Sequence, residues 1–319
     1  MLTEPGPFCL KRFFRHRFTR HQAFVCCYHG TVECKRDNLL DRNLHVASDF
    51  REQTQFLKHK GVVSLAELTR QLEICGGAES RGVAITFDDG YANNLVTAEI
   101  LAKFMLPWAI FISTGALGRN SSIWTVQLSL LLLHGDGPKI DALGQAWSLA
   151  RREQREVAFQ VIRQKLKSMA AMPRRQLMDD IRAQFPAGET ERLLERFPSL
   201  SMLTWAELSQ LADAGVEIGS HGVDHEIHHA AQDPEVRRRE LVESKKEIER
   251  QLGRPCRFFA FPNGDYCEHS AREVEAAGYE VAFTTQSGLI RPDSNRFLLP
   301  RVSPGGSVAK LKQQLKASH

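Results

Sequence analysis

The sequence predicts an α/β fold of mainly parallel strands, either an open sheet or one closed into a barrel, with a helical insertion. Three observations predict it. Short apolar runs alternate with helical stretches along most of the 319 residues. Helix-start signals fall in the gaps between those runs. Two clusters that look chemical, Asp88-Asp89 and a histidine-rich stretch after residue 218, come directly after apolar runs. Parallel α/β folds keep their chemistry at strand C-terminal ends.

The elements follow in order. Residues 23–28 read as a strand and 49–60 as a helix. Ser64-Leu65-Ala66-Glu67 has capping-box spacing and opens a second helix. A strand ends at Thr86, a helix covers 94–104, and a strand covers 108–112. Residues 120–200 differ in kind. They are rich in Arg, Gln, Glu, Leu and Met at helical spacing, with breaks expected at Pro173, Pro186 and Pro198, and read as an insertion or lid. Thr204-Trp205-Ala206-Glu207 is another capping box, opening a helix that stops near Gly215. A strand at 216–218 leads into the histidine loop. Asp233-Pro234 is an N-cap with a first-turn proline, for a helix ending near Leu252. Strands at 258–261, 281–283 and 297–299, a helix at 270–277 and a terminal helix complete the chain.

Composition bounds the function. A hydrophobic share of 42% and a charged share of 25% are those of an ordinary globular protein. A net charge of +4 is too mild to imply a nucleic-acid partner, and none is expected. The seven cysteines are odd in number and lack C-x-x-C spacing, which suggests reduced thiols and a cytoplasmic setting. No apolar core of a secretory signal follows the basic start. Residues 1–22 form a basic aromatic segment in which Lys11, Arg12, Arg15, Arg17 and Arg20 alternate with Phe8, Phe13, Phe14 and Phe18. The expectation is peripheral contact of residues 8–20 with an anionic membrane, on the inner face. The alternative is a tail packing its phenylalanines on the domain.

Adjacent carboxylates repel, so Asp88-Asp89 at a strand end suggests a bound cation, with one carboxylate as ligand and its neighbour handling a proton. His221 and His225, four apart in Gly219-Ser220-His221-Gly222-Val223-Asp224-His225, are a second cluster. Alone, that pair matches a surface loop equally well, and the chain has 12 histidines. Two His and one Asp together leave a coordination position open for water, as in catalytic metal sites.

With Thr86-Phe87-Asp88-Asp89-Gly90, the His221–His225 loop and Phe259-Ala260-Phe261-Pro262-Asn263-Gly264, the chain resembles the polysaccharide deacetylase family, the chitooligosaccharide deacetylase-like group with the NodB homology domain (carbohydrate esterase family four). The resemblance spans residues 23–305 and is weaker over the insertion, so that 23–319 reads as one catalytic domain. It implies a distorted (β/α) barrel and metal-dependent removal of acetyl groups from sugars. It makes Asp88 the general base and Asp89, His221 and His225 the ligands of a divalent metal, zinc first, with cobalt or nickel as alternatives. The Asn263 N–H would face the developing oxyanion.

Two departures matter. Many members hold the catalytic Asp with an Arg where this chain has Ala260, and Arg301 is the substitute expected here; the alternative is a surface arginine. The C-terminal Leu-x-His motif that supplies the general acid is missing. Cys27-Tyr28-His29-Gly30 matches a branch with Tyr-His after its first strand, which makes His29 the candidate acid, against a histidine merely packed at a strand end. Tyr91, Trp124, Phe261 and Pro262 are expected to line a groove for an acetylated carbohydrate. The expected substrate is an N-acetylated sugar of a cell-surface polysaccharide or of its lipid- or nucleotide-linked precursor. A small non-sugar amide and a non-catalytic glycan-binding barrel are the alternatives.

Overall fold

The computed structural model describes residues 23–75, 81–118 and 120–317. Its centre is a six-stranded sheet whose spatial order follows the chain: Ala23–Tyr28, Gly82–Phe87, Ala109–Ile112, Glu217–Ser220, Phe258–Ala260 and Val281–Phe283. Every pairing in it is parallel. The two edges are bridged by residues 299–302. Leu299 N–H donates to Ala282 (2.8 Å) and its carbonyl accepts from Thr284 (2.9 Å), while Val302 exchanges bonds with Val25 (2.8 Å) and Cys27 (2.9 Å). The result is a distorted (β/α) barrel.

The strand expected at 297–299 is not formed. A single bridge pairs Leu299 with Phe283, and the closing contacts continue at Val302. Pro300, lacking an N–H, interrupts the ladder between them.

Alternation along the strands separates two apolar layers. Ala23, Val25, Ala84, Ala109, Phe111, Ala260, Val281 and Phe283 pack together inside. Small alanines make room for Phe111 and Phe283, whose ring centroids are 5.6 Å apart. Leu65 and Leu68 of the Leu65–Cys75 helix join this layer and stop one end of the barrel. That helix is anchored by the Glu217 carboxylate, which accepts from the N–H groups of Leu65 (2.7 Å) and Ala66 (2.8 Å). Phe24, Cys26, Tyr28, Ile85, Phe87 and Ile110 face outward beneath Leu57, Leu101, Leu208 and Leu241 of the outer helices.

Among the described residues, the stretch between Ala109–Ile112 and Glu217–Ser220 carries, ahead of the Trp205–Asp213 helix, four α-helices, Trp124–His134, Arg152–Lys167, Ala171–Arg182 and Glu189–Arg196. They share their own core around Leu128, Leu131, Phe159, Ile162 and Leu193. Pro173 does not break a helix as expected. It is the third residue of Ala171–Arg182, where a missing N–H costs nothing. The stretch also holds an antiparallel hairpin, Lys139–Ala142 with Gln145–Ser148, that the sequence did not announce. Its turn needs positive φ at both central residues, and Leu143 (57°) is an unusual occupant of the first. A parallel pair, Gly30–Val32 with Leu44–Val46, was equally silent.

The three helix starts are capped as the sequence suggests. Ser64 Oγ accepts from the Glu67 N–H at 3.1 Å, Thr204 and Glu207 form a reciprocal capping box, and Asp233 caps Pro234–Leu252. Among the described residues no helix is long and apolar enough to cross a membrane. Residues 8–20, with their expected membrane contact, lie outside the described residues.

Candidate active site

The loops at the C-terminal ends of the strands converge on a cavity of about 230 Å³. His29, Asp88, Asp89, Tyr91, His221, His225 and Asn263 line it, together with Arg42, Arg163 and Lys167.

The adjacent aspartates part because the backbone turns sharply after Gly82–Phe87. Asp89 (φ 74°) and Gly90 (φ 87°) both adopt left-handed conformations. Asp88 points into the barrel and meets Arg301 in a two-pronged pair, Nη1 to Oδ1 at 2.8 Å and Nη2 to Oδ2 at 2.7 Å. Arg301 is fully buried, and its Nε donates to the Thr284 carbonyl at 2.9 Å. Its place on the bridging segment 299–302 is what brings it there. Burial by itself would raise the Asp88 pKa, but the guanidinium outweighs it and the carboxyl falls to about 2. The Cys27 thiol, itself pushed up by burial, adds a weak bond to Asp88 Oδ2 at 3.4 Å.

Asp89 turns the other way. Its Oδ1 lies 3.4 Å from His221 Nε2 and 3.3 Å from His225 Nε2. All three side chains are buried, and their donor atoms lie within 4.8 Å of one another. Burial opposes ionisation of Asp89, yet the two imidazoles hold its carboxyl well below the usual range. His221 Nδ1 is 2.7 Å from the Ala260 carbonyl, which fixes a proton on Nδ1 and leaves the Nε2 lone pair free. This donor set, one carboxylate and two imidazoles gathered in a buried pocket, fits a divalent metal.

The loop carrying the histidines is held from outside. The Glu240 carboxylate accepts from the N–H groups of Val223 (2.8 Å), Asp224 (3.0 Å) and Glu226 (3.3 Å). A Cβ on Gly222 (φ 84°) would come within 2.5 Å of Glu240 Oε2, so this turn needs glycine. His225 has φ 55°, and its carbonyl accepts from the Trp124 indole N–H at 3.0 Å.

Of the residues expected at a sugar groove, Tyr91 is on the cavity wall. The structure does not bring the other three there. Phe261 is fully buried, among His228, Phe259 and Tyr266. Pro262 is buried beside it. Trp124 stacks against Arg174 (4.8 Å), and its indole N–H donates to the His225 carbonyl. An aromatic next to a motif is as easily core as wall. Asn263 (φ 60°) is on the wall, in a turn that depends on Gly264, where a Cβ would collide with Thr285.

Sequence reasoning missed Glu240, Arg42, Arg163 and Lys167. Arg163 and Lys167, four apart on Arg152–Lys167, carry a helical signal, but it reads as an ordinary charged face.

A parallel barrel that gathers a buried Asp-His-His donor set and a separately held carboxylate at its strand ends is the architecture of a hydrolase. The chain belongs to the polysaccharide deacetylase family, whose model, described as Polysaccharide deacetylase, matches residues 76–282. YxkH of Bacillus subtilis (strain 168), provisionally assigned as a polysaccharide deacetylase, is 30% identical over 107 residues, which are 33% of this chain and 38% of that protein. Among solved structures, the chain is similar to the Streptococcus pyogenes deacetylase PplD in complex with acetate (TM-score 0.61, 17% identity, 93% of this chain and 99% of that one). It is also similar to IcaB from Ammonifex degensii (TM-score 0.57, 16% identity, 92% and 96%). At these identities the likeness to solved structures is one of fold.

Proposed function

We propose that the protein is a metal-dependent hydrolase that removes the acetyl group of an N-acetylated sugar. The observation that carries this is the division of the aspartate pair: Asp88 is held by Arg301 while Asp89 faces His221 and His225. A divalent metal, zinc in the first place, would be held by Asp89, His221 and His225. When bound it supplies a polarised acetyl carbonyl and a more acidic water.

The chain's own groups do the rest. Asp88 takes the proton of the attacking water, and the water oxygen bonds to the carbonyl carbon. Arg301 keeps Asp88 ionised and fixed in direction, at some cost in basicity. The Asn263 N–H donates to the oxyanion. His29, which lines the same cavity, gives a proton to the sugar nitrogen as the C–N bond breaks, so that acetate and amine leave. The family supports acetyl removal from a sugar, and the buried donor set supports a metal.

Acetate release from N-acetylated sugars, measured alongside bound metal, tests the proposal. Asp88→Asn should lose turnover and keep metal; Asp89→Asn should lose metal. A protein without affinity for zinc, cobalt or nickel, or an active Asp88→Asn, would refute it. A cytoplasmic location with inner-membrane contact through residues 8–20 is part of the same proposal and rests on the alternation of cations and phenylalanines there. Recovery of the protein entirely in the soluble fraction after gentle lysis would remove it.

A further inference from the structure

The cavity that holds the metal-type donor set is also lined by three cations that the reaction above does not use. Arg42 comes from the loop before Leu44–Val46, and Arg163 and Lys167 come from the Arg152–Lys167 helix. The guanidinium carbons of Arg42 and Arg163 lie 5.6 and 5.9 Å from the centre of one ring, that of Phe159. Lys167 is one helical turn beyond Arg163, and its Nζ donates to the Asn263 side chain.

Among the described residues, none of the three forms an ion pair with a carboxylate. Arg42 Nη1 donates to the Leu39 carbonyl at 3.1 Å, and Arg163 Nε is buried with no partner. The nearby carboxylates are engaged elsewhere. Asp88 is taken by Arg301, Asp89 by the histidines, and Asp265, which faces Lys167 across the turn, by the Asn263 amide. Burial and then the neighbouring arginines bring the Lys167 ammonium down to about 8. Cations gathered on one cavity without a paired carboxylate repel one another, and an anionic ligand that enters between them relieves that repulsion.

We propose that Arg42, Arg163 and Lys167 form a phosphate subsite, and that the substrate is an acetylated sugar carrying a phosphoryl group next to the acetylated ring. This rests on the deacetylase reading for the reaction, but not for the binding. Three converging cations suit the multiple charge and several acceptor oxygens of a phosphoryl group better than the single charge of a uronate.

Two measurements test it. With metal-loaded protein, kcat/KM for acetate release is compared between N-acetylglucosamine 1-phosphate and N-acetylglucosamine. A preference of at least tenfold for the phosphate is expected, shrinking as salt screens the wall. In Arg163→Gln/Lys167→Gln the preference should collapse towards one, through KM. Equal or better use of the neutral sugar by the native protein overturns the subsite and leaves the deacetylase reading standing.

The second measurement needs no turnover. Calorimetry on chelator-treated and on metal-loaded protein compares glucose 1-phosphate, glucose and glucuronate. In both forms glucose 1-phosphate should bind at least tenfold tighter than either of the others, and the double variant should lose that margin. Glucuronate binding as tightly overturns the phosphate assignment, and no margin over glucose overturns the subsite. If no sugar releases acetate but the phosphate margin holds, the deacetylase reading fails and the subsite stands. The native protein decides each comparison even where the double variant does not fold.

Discussion

Replacing Arg301 by alanine strands Asp88 inside the barrel. Asp88 is 2% exposed, and its carboxyl loses two charge-assisted bonds of 2.8 and 2.7 Å. Breaking one partner out of such a buried pair costs about 3–5 kcal/mol. The consequence for pH has a definite sign. In the native chain the Asp88 pKa is lowered from 3.8 to about 2, which is worth about 2 kcal/mol of stability. That stability is present above the ordinary value of 3.8 and is lost as pH falls through about 2. Without Arg301, burial loses its main opponent, and only the weaker pull of His221 and His29 remains against it, so the pKa rises towards and past its ordinary value. The contribution then reverses, and stability falls as pH rises past that value.

Denaturant unfolding of chelator-treated protein across the acid range measures this as the difference between the native and variant curves, which should widen as pH rises from about 2 to 5. Arg301→Lys restores a point charge without the fork, so it should recover much of the stability while kcat for acetate release stays about tenfold or more below native. Native kcat in both variants, together with parallel pH–stability curves, would show that Arg301 neither orients Asp88 nor sets its charge.

Three further outcomes are expected. Glu240→Ala orphans the N–H groups of Val223, Asp224 and Glu226; zinc affinity by calorimetry should fall about tenfold or more although no ligand is changed. Gly264→Ala places a Cβ 1.9 Å from Thr285 Oγ1 at φ 79°, so the Asn263 turn must shift; kcat should drop with metal content unchanged, and the melting temperature should fall by several degrees. Trp124→Phe removes the donor to the His225 carbonyl and should cost about 1 kcal/mol in denaturant unfolding, with a smaller loss of metal affinity than Glu240→Ala.

Local signals carried much of the fold. Residues 23–28 form the first strand as read, and the capping residues Thr204 and Asp233 start their helices where the sequence places them. What failed was either non-local or chemically unmarked. The 139–148 hairpin turns on a leucine rather than a glycine or asparagine at its first left-handed position. Pro173 looked like a break because its offset from the helix start is invisible in sequence. Phe261 and Trp124 were assigned to a sugar wall on residue type, and only packing shows one in the core and the other bonded to the His225 carbonyl.

By itself the sequence determined the motif residues, their order and the strand–helix alternation, because side-chain periodicity and caps act within a few residues of chain. The resemblance assigned the two aspartates their roles, and only the tertiary structure shows how neighbours in the chain part. The left-handed turn at Asp89 and Gly90 sends neighbouring carboxylates to opposite partners, and segment 299–302 brings Arg301 to Asp88 across 213 positions. It also decided that Arg42, Arg163 and Lys167 line one cavity. Charge compensation in a buried cavity depends on distances through space, and chain spacing does not fix those distances.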